Sequence, residues 1–241
     1  MKNSDLENKN VLITGGVDGI GYQCAKKFQE LGSNVTVTCL TRKSYEKFLD
    51  LEKAIKVERL DITNDISIEG LKEKINELDI LINNATLFKG GIEYRIENFA
   101  DVVNVNLMGV MRICHAFLPK LALAQGNIIN IGSVSSKKSM AYAPSYSATK
   151  SATESLTKSM AACWAEHNVR VNCVAPGMIA GKTLDKFKKE IDTEDHLLQR
   201  IPLKRYGSPV EVAEAVLFLS SEKAAYITGT TIFVDGGYSI N

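Results

Sequence analysis

Seven short runs rich in β-branched and apolar residues recur along this chain, and helical patterns fill most of the gaps between them. The runs are NVLIT (10–14), NVTVTCL (34–40), IKVERLD (55–61), DILINNA (79–85), GNIINIGSV (126–134), VRVNCVAPG (169–177) and TTIFVDGG (230–237). Helical patterns cover Ile20–Leu31, Ile96–Leu123, Ala143–His167 and Pro209–Ser220. Strands that alternate with helices imply right-handed crossovers and a parallel sheet covered on both faces. Near-continuous apolar runs fit strands buried on both sides. The expected fold is α/β, a doubly wound parallel sheet of seven strands in a single domain over 1–241. In such sheets ligands bind at the carboxyl ends of the strands.

Composition narrows the function classes. The 241 residues carry 29 Lys and Arg against 28 Asp and Glu, a net charge of +1. Acids and bases are interspersed, without the basic stripe of a nucleic-acid binder. No apolar run is read as approaching transmembrane length, and the polar MKNSDLENKN start lacks a signal-peptide core. A cytoplasmic protein with no membrane or nucleic-acid partner is expected. Cys24, Cys39, Cys114, Cys163 and Cys173 have no C-x-x-C spacing and read as buried free thiols. The three histidines are too scattered for a metal site, so no metal is expected.

The first strand runs into TGGVDGIG, and a helix follows. A glycine-rich strand-to-helix turn brings backbone N–H groups close to a pyrophosphate, and the helix dipole favours the negative charge. Strand before and helix after are the context that makes this a nucleotide site rather than an ordinary tight turn.

The G-x-x-x-G-x-G spacing at Gly15, Gly19 and Gly21 resembles the cofactor loop of the classical short-chain dehydrogenase/reductase family. Further motifs follow in order: NNA at 83–85, Asn106 in NVNLMG, Ser133 at the end of the fifth run, YSATK at 146–150 and PG at 176–177. The resemblance covers nearly the whole chain. It implies a Rossmann fold and an NAD(P)-dependent oxidoreductase that interconverts a ketone and a secondary alcohol. By the same resemblance, Asn106, Ser133, Tyr146 and Lys150 are the catalytic residues. The cofactor would meet Gly15, Val17, Asp18, Gly19, Ile20, Gly21, Thr41, Arg42, Asp61, Ile62, Asn84, Ala85, Tyr146, Lys150, Pro176, Gly177, Ile179 and Thr183. The substrate would meet Ser133, Ser135, Tyr146 and Met178.

The chemistry suits those residue types. Carbonyl reduction needs a proton donor, and Tyr146 has one, with an ordinary pKa of about 10. Lys150, four residues on, shares its helical face. At about 5 Å and an effective dielectric near 20, the attraction between tyrosinate and ammonium is roughly 3 kcal/mol. That is worth about two pKa units, opposed by desolvation. The resemblance gives Ser133 a hydrogen bond to the substrate oxygen, Lys150 the nicotinamide ribose, and Asn106 a water in a proton relay.

Two departures bear on the ligands. An acid at the end of the second strand binds the ribose of NAD, whereas a nearby arginine accommodates the phosphate of NADP. Cys39 occupies the acid position, with Arg42 and Lys43 just beyond. NADP(H) is therefore preferred over NAD(H), although Asp18 would oppose a phosphate. Thr86 stands where the family's N-N-A-G has glycine, and is expected to crowd the loop. The charged segment 181–207 corresponds to the family's substrate lid. The family's 3-oxoacyl-acyl-carrier-protein reductases are the alternative activity. The basic docking positions of that subgroup here hold Ala124, Gln125 and His167, which weakens it. A non-catalytic NAD(P)-binding regulator is the alternative from another class; such members usually lose the Tyr or Lys kept here. The resemblance also implies a homotetramer or dimer. Ala148, Ser151, Ala152, Ser155 and Ser159 would allow close approach of two helices.

Overall fold

The computed structural model describes residues 5–181, 184, 185 and 194–241. Seven parallel strands form one sheet: β1 (Asn10–Ile13), β2 (Asn34–Cys39), β3 (Lys56–Arg59), β4 (Ile80–Asn83), β5 (Asn127–Ile131), β6 (Arg170–Pro176) and β7 (Thr231–Val234). Their order is β3-β2-β1-β4-β5-β6-β7. Chain order reverses between β1 and β4, which opens a crevice above their carboxyl ends. The expected doubly wound sheet is present, with each strand one to four residues shorter than its apolar run. The residues trimmed at the C-terminal ends, such as Thr14, Asn84, Ala85 and Ser133, form the loops above the sheet.

The helices are α1 (Gly19–Glu30), α2 (Arg42–Leu51), α3 (Asp65–Lys74), α4 (Ile96–Val103), α5 (Val110–Ala124), α6 (Pro144–Trp164), α7 (Glu194–Gln199) and α8 (Pro209–Ser220). Strand alternation sorts the core into two layers. Val11, Ile13, Ile80, Ile82, Ile129 and Ile131 face one side, where α1 packs on α8 through Phe28, Ala25, Val212 and Val216. Leu12, Leu81 and Ile128 face the other, against Ile113, Phe117 and Leu121 of α5 and Met160 and Trp164 of α6. Each fully buried aliphatic side chain contributes about 1.5–3 kcal/mol of transfer free energy.

Two helices, α2 and α3, lie in gaps where no helical pattern is expected from the sequence. In α2 only Phe48 is buried; its start is marked by Thr41, whose side chain accepts from the Ser44 amide. Asn64 caps α3 in the same way. The region from α4 to α5 is continuous, and its middle, Asn104–Gly109, is a π-helical segment. This corrects the reading that no segment approaches membrane-spanning length. The continuous helix Ile96–Ala124 has 29 residues and is apolar enough to cross a membrane by length and composition. Ile113, Phe117 and Leu121 lie buried instead against the sheet, and Val102 is buried as well. Cys163 also departs from expectation: it is exposed, whereas the other four thiols are buried.

Candidate active site

A cavity of about 850 Å³ lies above the carboxyl ends of the strands. That volume is in the upper part of the range for small-molecule sites, about 300–1,000 Å³. One end is formed by the loops after β1, β2 and β3, with Gly15, Asp18, Thr41, Ser44 and Asp61 among its lining. The other end is formed by Phe88, Val134, Met140, Tyr142, Met178 and Leu184, with Ser133, Tyr146 and Lys150 on the wall between.

The glycine loop is built for close approach. Gly15 has φ +64°, and a Cβ there would sit 2.9 Å from the Cα of Ala85. A Cβ on Gly21 would meet the Asn84 Nδ2 at 2.5 Å and the Gly15 carbonyl at 2.8 Å. The loop is pinned by its neighbours. Asn84 Nδ2 donates to the carbonyls of Thr14 and Gly15 at 3.1 and 2.8 Å, and the Thr14 hydroxyl accepts from the amides of Asn84 and Ala85. The Asn84 side chain thus holds the loop. Gly19, with φ +55°, has nothing within 4 Å of a hypothetical Cβ, so the turn is open on its cavity side. A tight, glycine-rich turn at the head of α1, open toward an elongated cavity, fits a dinucleotide.

Tyr146 and Lys150 project from the first turns of α6, one helical turn apart. Tyr146 shares a side-chain hydrogen bond with Ser133, which follows β5. The Ser133 oxygen also accepts from the Ser135 amide at 3.1 Å. Lys150 Nζ donates to the Ile131 carbonyl at 2.7 Å and lies 5.5 Å from the centre of the Tyr146 ring. Desolvation by burial pushes Tyr146 up to about 12, against a lowering by Ser133 and a further raising by Glu93. Burial pushes Lys150 down to about 8. Among the protein's own groups, the pocket therefore favours a protonated tyrosine and eases loss of the lysine charge.

Most of the residues expected at the site line this cavity: Gly15, Val17, Asp18, Gly19, Ile20, Thr41, Asp61, Ile62, Asn84, Ala85, Ser133, Tyr146, Lys150, Pro176, Gly177, Met178 and Ile179. Four do not line it. Gly21 backs the loop from inside. Arg42 is exposed and turns its Nε to Glu46 at 2.7 Å, an i,i+4 pair. Ser135 is 2 % exposed and faces the interior. Asn106, also buried, sits one layer behind the wall. Its Oδ1 accepts from the Leu87 amide at 2.7 Å and the Thr86 hydroxyl at 3.2 Å, and its Nδ2 donates to the Leu87 carbonyl at 2.9 Å. A longer contact of 3.4 Å reaches Thr149 on α6. Thr86, expected to crowd the loop, is thus exposed on the cavity side with its hydroxyl on the Asn106 amide. Thr183 lies outside the described residues, as does much of the expected lid, including Phe187 and Ile191.

Phe88, Asn130 and Glu93 had no sequence signal, whereas Asn83 opens the NNA motif. Phe88 packs edge-on against the Tyr146 ring at 5.2 Å and against Tyr142 at 6.1 Å. Buried Asn83 donates to Asn130 at 2.9 Å, and Asn130 to Thr157 at 2.9 Å, which ties β4 and β5 to α6 beneath the cavity. Glu93 is fully buried, and its carboxylate meets the start of α6. A polar residue on an apolar strand or in a loop names no partner by itself.

Comparison with known proteins agrees with this arrangement. A family profile described as enoyl-(acyl carrier protein) reductase matches residues 15–239. The 3-oxoacyl-acyl-carrier-protein reductase FabG of Vibrio cholerae is 36% identical over 241 residues, 97% of this chain and 98% of the relative. The solved structure of gox2181 superposes with a TM-score of 0.91 at 28% identity, covering 98% of both chains. Aldohexose dehydrogenase from Thermoplasma acidophilum superposes with a TM-score of 0.88 at 30% identity, covering 99% of this chain and 96% of that one. With a matched profile over most of its length and full-length relatives above 30% identity, the chain belongs to the short-chain dehydrogenase/reductase family and is an NAD(P)-dependent oxidoreductase.

Proposed function

We propose that the chain reduces a ketone on an apolar substrate to the secondary alcohol with NADPH, and that Tyr146 donates the proton. The observation that carries this reading is the convergence of Ser133, Tyr146 and Lys150 on one wall of the cavity. When bound, the nicotinamide supplies the hydride. Ser133 and Tyr146 together offer two hydroxyl donors to one carbonyl oxygen, and charge developing on that oxygen is met by groups already in place. Tyr146 stays protonated until that moment, because burial holds its proton. Lys150 beside it favours the tyrosinate left behind. Asn106 fixes the loop at Leu87 and reaches Thr149 on α6, from where it serves the same helix.

The substrate class follows from the far end of the cavity. Phe88, Val134, Met140, Tyr142, Met178 and Leu184 offer an apolar wall with few hydrogen-bonding groups. A sugar would leave most of its hydroxyls unpaired there, at a cost for each. An acyl chain suits it, and a 3-oxoacyl thioester is the reading that the named FabG relatives also favour. NADPH is preferred because β2 ends in Cys39, with Leu40 and the hydroxyls of Thr41 and Ser44 beyond, where a carboxylate would select NADH. Asp18 also lines the cavity and opposes a phosphate, so the preference is a balance between the two. The outer face of α6, with Ala148, Ser151 and Ser155 exposed, suits contact with a second copy in a homotetramer or dimer. A cytoplasmic location fits the reading.

The test is turnover of acetoacetyl-CoA with NADPH, against glucose with NADP as the sugar alternative. Thioester reduction with no sugar oxidation supports the reading; the reverse replaces it.

A further inference from the structure

The start of α6 has no local cap. Ala143 precedes it, with no side-chain hydrogen bond and no acid in the first turn. The first amides of a helix need acceptors, most of all when buried. Here the acceptor comes from 53 residues upstream. Glu93 is 0% exposed. Its Oε2 accepts from the Ser145 hydroxyl at 2.7 Å and from the Tyr146 amide at 2.9 Å. Its Oε1 accepts from the amides of Lys89 and Gly90 at 3.0 and 3.2 Å. One buried carboxylate thus joins the loop that carries Phe88 to the amide of the tyrosine against which Phe88 packs.

We propose that Glu93 is a positioning residue for Tyr146: its buried carboxylate caps α6 at the amide of Tyr146 itself and holds the phenol where Ser133 and the substrate carbonyl meet. This rests on Tyr146 as proton donor. The four hydrogen bonds leave both oxygens occupied, so the group is ordered rather than mobile. Among the described residues no Lys or Arg nitrogen lies within 4 Å of it; the nearby Lys89 ammonium is spent on Asn98 and Asp101 at 2.7 and 2.6 Å. The charge is therefore balanced by N–H and O–H dipoles and by the helix terminus. It also bears on proton transfer. The groups that bear on Tyr146 are Ser133 from the β5 loop, Lys150 from α6 and Glu93 from the loop before α4. Of these, Glu93 disfavours the tyrosinate.

Glu93→Gln separates the two roles. An amide has one oxygen and two N–H donors, so whichever way it turns, an N–H faces backbone donors at one end. Either the cap on α6 or the tie to the Lys89–Gly90 amides is broken, and the charge is removed. With acetoacetyl-CoA and NADPH, kcat is expected to fall on the order of tenfold, as for a small misplacement of a reacting group. The KM for NADPH should stay within about twofold, since Glu93 does not touch the cofactor cradle. The decisive readout needs no turnover: ¹³Cζ-tyrosine NMR of the NADP complex, with the Tyr146 signal assigned from Tyr146→Phe. Removing the charge should lower the Tyr146 pKa, since the carboxylate disfavours the tyrosinate. An unmoved titration overturns the proposal, even if kcat falls, because Glu93 is then a structural cap alone. Wild-type kcat overturns it as well. If Glu93→Gln does not fold, Ser145→Ala removes one partner and should cost a few-fold in kcat at unchanged cofactor KM; wild-type kcat there overturns it too. Should Tyr146→Phe retain turnover, the proton-donor reading falls, while the titration still reports whether Glu93 acts on the phenol.

Discussion

Lys150 Nζ lies 5.5 Å from the centre of the Tyr146 ring while donating to the Ile131 carbonyl at 2.7 Å. The lysine is therefore anchored to the end of β5 and presents its charge to the tyrosine from a fixed point. Both groups lie in a pocket that penalises charge, so Tyr146 is pushed up to about 12 and Lys150 down to about 8.

That penalty makes Lys150 costly to stability. Its ordinary value of 10.5 applies to the unfolded chain. Below about pH 8 both states hold the proton, and the folded state bears the whole cost of the buried charge. Between that value and 10.5 the unfolded chain holds more protons, so rising pH favours the folded state. Lys150→Met should raise the Tm at pH 7 by several degrees while abolishing turnover, and the gain should shrink toward pH 10. Differential scanning calorimetry across pH checks this. A Tm gain independent of pH would assign the effect to packing.

The glycine loop predicts a cofactor-specific defect. Gly21→Ala places a Cβ 2.5 Å from the Asn84 Nδ2 and 2.8 Å from the Gly15 carbonyl. Overpacking of this kind costs about 1–3 kcal/mol. Because the loop that must move is the cofactor cradle, NADPH affinity should fall more than stability does. Isothermal titration beside thermal unfolding separates the two.

On the proposed NADPH reading, cofactor choice would depend on hydroxyls in the cavity rather than on the nearest guanidinium. Thr41 and Ser44 line the ribose end, and Arg42 is paired with Glu46 on the surface. Thr41→Ala should raise the KM for NADPH several-fold and leave that for NADH nearly unchanged. Arg42→Ala should have the smaller effect. Thermal shifts with NADPH and NADH give the wild-type preference directly, since a ligand that binds only the folded state stabilises it. Equal shifts would remove the preference for NADP.

The sheet and the wall of the cavity were legible because they rest on local rules. Apolar runs such as DILINNA mark buried strands, and Y-x-x-x-K places Tyr146 and Lys150 one turn apart on any helix. The boundaries were less legible: Asn84 and Ser133 continue apolar runs in sequence, yet leave the ladder to build the site. α2 and α3 bury little apolar surface, and their signals are the polar caps Thr41 and Asn64. Glu93 was not legible at all. Nothing in GGIEYR separates it from a solvated acid, and its partners on α6 are 52 and 53 residues away. Arg42 illustrates the converse: its position suggested a phosphate ligand, but an i,i+4 glutamate holds its side chain.

The central claim is that the Tyr146 hydroxyl is the proton donor. Tyr146→Phe removes that oxygen and keeps the ring packed edge-on against Phe88. The direct measurement is kcat/KM for acetoacetyl-CoA with NADPH, beside the Kd for NADPH. A loss of about 10²-fold or more at unchanged Kd is predicted, the range for removal of a general acid. Turnover within a few-fold of wild type would contradict the account.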